Sequence, residues 1–95
     1  MKNNRLESSI QSSIMKALRK QGGLWLKTRE SLAGVSGISD IIGCYRGRFI
    51  AIEIKRPGEK PRADQQAYLE IVKRCGGISG SAQSVEEALN IIKGA

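Results

Sequence analysis

The sequence predicts one mixed α/β domain, spanning residues 1–95, in which a small mixed sheet is flanked by helices in the order α-β-β-β-α-β-α. Three segments carry apolar residues at three- and four-residue spacing, which is typical of amphipathic helices. Short apolar runs bounded by glycine or charged residues lie between them and are typical of strands. A chain of 95 residues buries roughly 60 to 70% of its unfolded surface, so we expect a single domain with a small core.

The first helix is predicted from Asn4 to Lys20. Its apolar stripe consists of Leu6, Ile10, Ile14, Ala17 and Leu18. Glu7 falls inside this stripe, about 20° from the directions of Ile14 and Leu18. A buried glutamate costs several kcal/mol unless a partner neutralises it. The alternative is local, with Asn4 as the N-cap and Glu7 as the N3 residue of a capping box.

The glycine pair Gly22-Gly23 ends this helix and precedes a strand from Leu24 to Arg29. Trp25, Lys27 and Arg29 share one face of that strand, which predicts a sheet edge with a basic outer side. Lys27 and Arg29 either contact phosphate groups or form an ordinary solvated face. The segment after the strand, ESLAGVSG, is predicted to be a loop near the site.

Two further strands form a hairpin between Gly37 and Lys55. With Arg46 and Gly47 as the central residues of a two-residue turn, Asp40 lies directly opposite Glu53. The Cβ atoms of such a pair are about 4.5 to 5.5 Å apart. Alternation along the second strand, FIAIEIK, puts Glu53 and Lys55 on the same face.

Two carboxylates at this separation repel each other unless a cation lies between them. A divalent cation such as Mg²⁺ accepts oxygen ligands and keeps several waters, one of which can attack a phosphodiester. Lys55 would then lie beside that water or the phosphate. The alternative is a solvated Glu/Lys pair at a strand end, which is disfavoured because the run otherwise indicates a strand that is covered on both faces.

The strand is followed by a turn that carries Arg56, Lys60 and Arg62. These residues either contact the substrate backbone or form a solvated turn. A helix is then predicted from Ala63 to Cys75, with Gln65 as the polar member of an apolar face.

The chain is predicted to end with a short strand from Ile78 to Gln83 and a helix that continues through Ile92. Ser84 and Glu87 have the spacing of a capping box at the start of that helix. Cys44 and Cys75 lack metal-ligand spacing, so we expect them to be reduced core residues.

Charge and composition narrow the possible functions. Sixteen Lys and Arg residues against nine Asp and Glu residues give a net charge of +7, which favours a polyanionic partner. The chain contains no histidine, which excludes Ser-His-Asp hydrolases and zinc deaminases of the His-ligated type. The sequence has neither a signal peptide nor a long apolar segment, so we expect an intracellular protein with no membrane partner.

Asp40 followed by Glu53-Ile54-Lys55 resembles the signature of the PD-(D/E)XK nucleases. The surrounding GISDIIG, GRFIAIEIKRP and DQQAYLE are similar to its VRR-NUC branch, in particular to minimal, stand-alone members of the phage type. The resemblance runs from about Leu6 to Ile92. Ser39 stands where the superfamily has proline, but the metal chemistry uses Asp40.

The resemblance implies a restriction-endonuclease-like fold and Mg²⁺- or Mn²⁺-dependent hydrolysis of DNA that leaves 5′-phosphates. It implies four metal ligands: the side chains of Glu7, Asp40 and Glu53 and the backbone carbonyl of Ile54. Lys55 would position or deprotonate the attacking water. Gln65 would orient the lysine or the water, or else it is an N-terminal helix residue that bonds its own backbone.

The resemblance also implies a homodimer that cuts branched DNA, such as four-way (Holliday) junctions, in replication, repair or recombination. Three alternatives remain open. Under the first the chain is a general nicking or flap nuclease. Under the second it is an inactive nucleic-acid-binding module of the same fold, and under the third it is a small structural protein. The joint presence of Asp40, Glu53, Lys55 and an inward-facing Glu7 favours the nuclease.

Overall fold

The computed structural model describes residues 2–28 and 34–95. Its elements are α1 (Lys2–Lys20), β1 (Leu24–Lys27), β2 (Ile41–Tyr45), β3 (Arg48–Ile54), α2 (Ala63–Arg74), β4 (Ile78–Ala82) and α3 (Val85–Ile92). The predicted element order is therefore confirmed. Arg29 and the first four residues of the predicted loop after it lie outside the described residues.

The sheet has four strands in the order β1-β2-β3-β4. The first two pairings are antiparallel, and β4 is parallel to β3 through the crossover helix α2. Tyr45 pairs with Arg48, so the hairpin turn is formed by Arg46 and Gly47, as predicted. Both turn residues have positive φ angles, 53° and 78°, which a type I′ hairpin requires.

The third strand is covered on both faces, as the sequence indicates. Ile50, Ile52 and Ile54 pack into the main core with residues of α1 and α3, whereas Ala51 packs with Leu69 of α2 on the other face. This double coverage also buries Glu53, which is only 2% exposed. A carboxylate is thereby held inside the protein by its strand.

The predicted start of the first helix is wrong. The helix begins at Lys2, so Asn4 lies within it and cannot be its N-cap. Of the predicted stripe, Ile14 and Leu18 are fully buried, whereas Leu6 is 48% exposed. Because the helix begins two residues earlier, Glu7 does not have the capping role that the sequence offered.

The first strand lies at the edge of the sheet, as predicted, but its faces are reversed. Trp25 is buried in the core, and its indole N–H donates to the carbonyl of Gly22 at 2.8 Å. Leu24 and Leu26, on the opposite face, are 59% and 51% exposed. The reason is that α2 packs on β3 and β4 and leaves this part of the sheet uncovered.

The prediction that the two cysteines are core residues is wrong. Cys44 and Cys75 are both unpaired and exposed. Cys44 lies on the part of β2 that α2 does not cover, and Cys75 is the C-cap of α2. Both positions follow from where α2 ends and which strands it covers.

The last helix begins as predicted, with the Ser84 side chain accepting a hydrogen bond from the backbone N–H of Glu87 at 3.2 Å. The Glu87 carboxylate reaches back to the N–H of Gln83 at 2.7 Å. Within residues 2–28 and 34–95, no helix has the length and apolar character needed to cross a bilayer.

Candidate active site

A cleft of about 690 Å³ opens where β2 begins and β3 ends. Its walls come from the loop before β2, the turn after β3, the first turn of α2 and the N-terminal part of α1. The predicted site residues that line it are Glu7, Asp40, Glu53, Lys55, Arg56, Arg62 and Gln65. The fold thus brings together residues that are up to 58 positions apart in the sequence.

Asp40 is fixed by backbone hydrogen bonds on both sides. Its carbonyl accepts from the N–H of Thr28 at 2.9 Å, which extends the pairing of β1 and β2 by one step. Its carboxylate atom Oδ2 accepts from the N–H of Ile54 at 2.7 Å. The second bond ties the Asp40 side chain to the end of β3, next to Glu53, so the predicted opposition of the two acids is built into the hairpin.

Glu53 is an incompletely paired buried carboxylate. Its Oε2 atom lies 3.5 Å from the ammonium nitrogen of Lys55. Its Oε1 atom is buried and has no hydrogen-bond partner among the described residues. Buried carboxylate oxygens almost always have a partner, so an unpaired one at the wall of a cleft indicates a site for a cation or a donor group.

The electrostatics of the site are set by burial and by the second acid. Burial, and to a smaller extent the charge of Asp40, raise the pKa of Glu53 from its ordinary value of 4.5 to about 8, although Lys55 acts in the opposite direction. Without a cation the carboxyl is therefore largely protonated near neutral pH. A bound cation would reverse this preference, since it favours the ionised form.

Lys55 is held at the mouth of the cleft. Its backbone N–H donates to the carbonyl of Ala82 at 3.0 Å, and its side chain is 12% exposed. The ammonium group is thus partly desolvated beside Glu53, where its charge acts more strongly than it would in water.

Glu7 lines the cleft and is half-buried. The hydrogen bond that Arg56 donates to Glu59 is the main cause of a raised pKa of Arg56, and the negative charge of Glu7 adds to that rise. In the described part of the chain, no three His, Cys, Asp or Glu side chains are close enough together to hold a metal ion. The structure therefore brings Glu7 to the same cleft as Asp40 and Glu53 but not into one cluster with them.

Gln65 forms part of the cleft wall and is 7% exposed. Its Oε1 atom accepts from the backbone N–H of Arg62 at 2.8 Å, which caps the first turn of α2. The structure thus supports the alternative of a helix residue that bonds its own backbone. The Gln65 side chain also lines the cleft. Its role in orienting Lys55 or a water therefore stays a prediction.

The predicted substrate-contacting residues fall into three groups. Arg56 and Arg62 line the cleft but are paired with Glu59 and Asp64 respectively. Lys60 is exposed and stands outside the lining, whereas Lys27 lies in a different groove beside α1. The local acids therefore offset part of the positive charge that the sequence placed after β3.

The sequence did not single out the contact between the loop before β2 and α2. Ser36 donates to Asp64 Oδ2 at 3.1 Å. Gly37 has a φ of 73°, and a Cβ atom there would lie 2.2 Å from the carbonyl oxygen of Asp64. Only glycine fits at this position, and a glycine before a strand is too common a signal to reveal it.

The side chains present fit a divalent metal ion. Asp40 and Glu53 supply hard oxygen donors, and the unpaired Oε1 of Glu53 is the atom that most needs a cation. The described residues hold neither a histidine nor a buried cysteine to favour a softer metal. This donor set would suit Mg²⁺ or Mn²⁺, with water completing the coordination.

No protein-family model matches the sequence, and no curated protein does so either. Among solved structures, one described as "VRR_NUC domain" superposes with a TM-score of 0.77 at 24% sequence identity. The match covers 93% of this chain and 95% of that one, so neither protein adds a large element to the other. The chain has the fold of a VRR_NUC domain, as the resemblance in its sequence implied.

Proposed function

We propose that this chain is a metal-dependent DNA nuclease whose active site is the cleft between Asp40, Glu53 and Lys55. The observation that carries the proposal is the buried, unpaired Oε1 atom of Glu53 beside Asp40. A purely structural carboxylate would be costly in this position, whereas a metal ligand is stabilised by its cation. The VRR_NUC fold and the net charge of +7 agree with this assignment.

The reaction is the hydrolysis of a phosphodiester. The oxygen of a water attacks phosphorus and the water gives up a proton to solvent. The bond from phosphorus to the 3′ oxygen breaks, and that oxygen takes up a proton from solvent, which leaves a 5′-phosphate and a 3′-hydroxyl. Asp40, Glu53 and the backbone carbonyl of Ile54 would hold Mg²⁺ or Mn²⁺. Glu7 lines the same cleft outside their cluster and would contact the ion through its bound water. When bound, the metal would supply Lewis acidity at the phosphate and lower the pKa of water.

The chain's own residues orient the ligands and the attacking water, and they stabilise the negative charge that develops on the phosphate. The hydrogen bond from Ile54 N–H aligns the Asp40 carboxylate beside the end of β3. Lys55 is close enough to Glu53 to present its ammonium group to the attacking water and to the negative charge that develops on the phosphate. Arg56 and Arg62 at the cleft wall would contact neighbouring phosphates by exchanging their present acidic partners for the substrate.

We further propose that two copies act together on branched DNA. Two adjacent rows of apolar residues cross β1, β2 and β3 on the sheet face where α2 packs; they are Leu24-Cys44-Phe49 and Leu26-Ile42-Ala51. The helix α2 covers only part of these rows: it buries Ala51 and partly covers Ile42, and the other four residues stay exposed. Leu24, Leu26 and Phe49 are each more than 40% exposed, and neither row contains a charged residue. A standard interface buries about 800 Å² per partner, which is about one-seventh of the chain's surface of 5988 Å².

This apolar surface favours a second copy over a nucleic acid, because most of the non-specific affinity for nucleic acid comes from cations that neutralise phosphates, and the two rows supply none. The next row along the same sheet face contains Asp40 and Glu53. Pairing through the apolar rows would therefore hold two active sites in a fixed two-fold relation. A four-way junction has matching two-fold symmetry.

The test combines oligomeric state and substrate choice. Light scattering at micromolar concentration should give twice the monomer mass of 10.3 kDa, and Leu26→Glu/Phe49→Glu should give the monomer because it buries two charges in the interface. Leu6→Glu adds a charge at another exposed leucine and should leave the dimer intact. With Mg²⁺ or Mn²⁺ the wild type should cut a four-way junction faster than linear, flapped or single-stranded DNA, and EDTA should stop all cutting.

Two results would overturn parts of this account separately. A wild-type monomer that cuts linear duplex and junction equally would remove the dimer and leave a general nicking nuclease. Undiminished cutting in EDTA would remove the metal-dependent mechanism itself.

A further inference from the structure

A second groove, of about 660 Å³, lies between α1 and the edge strand β1. Four of its lining residues are basic: Lys16, Arg19, Lys20 and Lys27. Among the described residues, no acidic side chain lines the groove and none of these four cations forms an ion pair. This contrasts with the active-site cleft, where Arg56 and Arg62 each have an acidic partner.

The groove adjoins the active-site cleft. Gln11 of α1 lines the groove one helical turn after Glu7, which lines the cleft. Lys27, the last residue of β1, also lines the groove, and the next residue, Thr28, lines the cleft. The two depressions therefore share their walls, α1 on one side and the end of β1 on the other.

The groove has a rigid base. Met15 lines it and is only 7% exposed, and it belongs to the main core together with Trp25 of β1. The cationic side chains thus project from a packed helix and a paired strand rather than from a loop. Arg19 and Lys20 also lie in the last turn of α1, where their charge complements the helix dipole. Lys16 and Lys27 have no such local role.

We propose that this groove binds the phosphate backbone of the DNA as it leaves the active site. The proposal rests on the function proposed above and adds the path of the substrate. From Glu7 to Lys20 the helix rises by about 20 Å, which corresponds to about six nucleotides at 3.4 Å per step of one strand. The unpaired cations would release counterions from that length of backbone without first losing an acidic partner.

The experiment compares two variants with the same change of net charge. Lys16→Gln/Arg19→Gln/Lys20→Gln neutralises three cations of the groove, and glutamine keeps good helix propensity. Lys73→Gln/Arg74→Gln/Lys93→Gln neutralises three exposed cations near the ends of α2 and α3, outside both the cleft and the groove. Both are titrated with a duplex of about 20 base pairs in EDTA at several salt concentrations, so that cleavage does not interfere.

The groove variant should bind duplex more than tenfold more weakly than the control at about 0.1 M salt, and its plot of log K against log salt should be flatter by about 0.9 for each lost contact. With metal present, its KM should rise while kcat at saturating DNA stays near the wild-type value. Equal affinity and equal salt slope in the two variants would overturn the proposal, whether or not the wild type cleaves DNA. Failure of the wild type to cleave, with the binding difference intact, would instead overturn the proposed function alone.

Discussion

Replacing either opposed acid, Glu53→Gln or Asp40→Asn, should lower DNA cleavage by about 1000-fold or more, on the scale of losing a principal electrostatic group of an active site. Both changes remove a negative charge and keep the shape of the side chain. Asparagine can still accept the hydrogen bond from Ile54 N–H, and glutamine resembles the protonated form that burial favours for Glu53. The fold should therefore persist while the metal loses a ligand.

The readout is single-turnover cleavage of end-labelled DNA in Mg²⁺, with circular dichroism to confirm folding. Glu86→Gln is the matched control, since it makes the same chemical change at an exposed position on α3 and should be fully active. Wild-type cleavage rates in a folded Glu53→Gln or Asp40→Asn variant, with metal still required, would refute the assignment of these two residues as ligands.

Replacing Lys55 by alanine should separate chemistry from metal binding. The ammonium group acts on water and phosphate, so its loss should reduce kcat by about 100-fold or more. Lys55 also lowers the pKa of Glu53, so its removal favours the protonated carboxyl and lets protons compete more strongly with the metal. The comparison should therefore be made at about pH 8.5, where that competition is weakest.

At that pH, calorimetric titration with Mn²⁺ should give nearly the wild-type affinity for Lys55→Ala, whereas Glu53→Gln should bind much more weakly. Lys93→Ala changes an exposed lysine at the end of α3 and serves as the control for loss of one positive charge. A loss of Mn²⁺ affinity in Lys55→Ala as large as that in Glu53→Gln would contradict a role for the lysine in the chemical step.

The hairpin and its acids could be predicted from the sequence because their determinants are local. Arg46 and Gly47 fix the turn, the turn fixes the register, and the register fixes which side chain faces Glu53. The coverage of β3 on both faces was predictable for a similar reason, since a continuous apolar run is stable only when both of its faces are buried.

Other features depend on where separate elements pack, which alternation along one strand does not specify. The position of α2 over β3 and β4 decides that Leu26 and Cys44 are exposed. The pairing of Arg62 with Asp64 depends on the geometry at the start of α2. The basic groove exists because α1 packs beside the edge strand β1. That packing is not visible in the sequence, which indicated only Lys27 among the four cations of the groove.

The most direct test of the central claim, that the buried Glu53 carboxylate is a metal ligand, is thermal unfolding as a function of pH with and without Mn²⁺. Because the folded-state pKa of Glu53 is raised from 4.5 to about 8, its contribution to stability in EDTA is fully present below about pH 4.5 and is lost as the pH rises through about 8. The wild type should therefore lose more stability than Glu53→Gln between pH 6 and 8.5.

Mn²⁺ should restore the wild type, with a larger increase in Tm at pH 8.5 than at pH 6, because metal binding requires the ionised carboxylate. Glu53→Gln should show little pH-dependent loss from this site and little increase in Tm with Mn²⁺. An equal increase in Tm with Mn²⁺ for the wild type and Glu53→Gln at pH 8.5 would show that the metal binds elsewhere and would contradict the account.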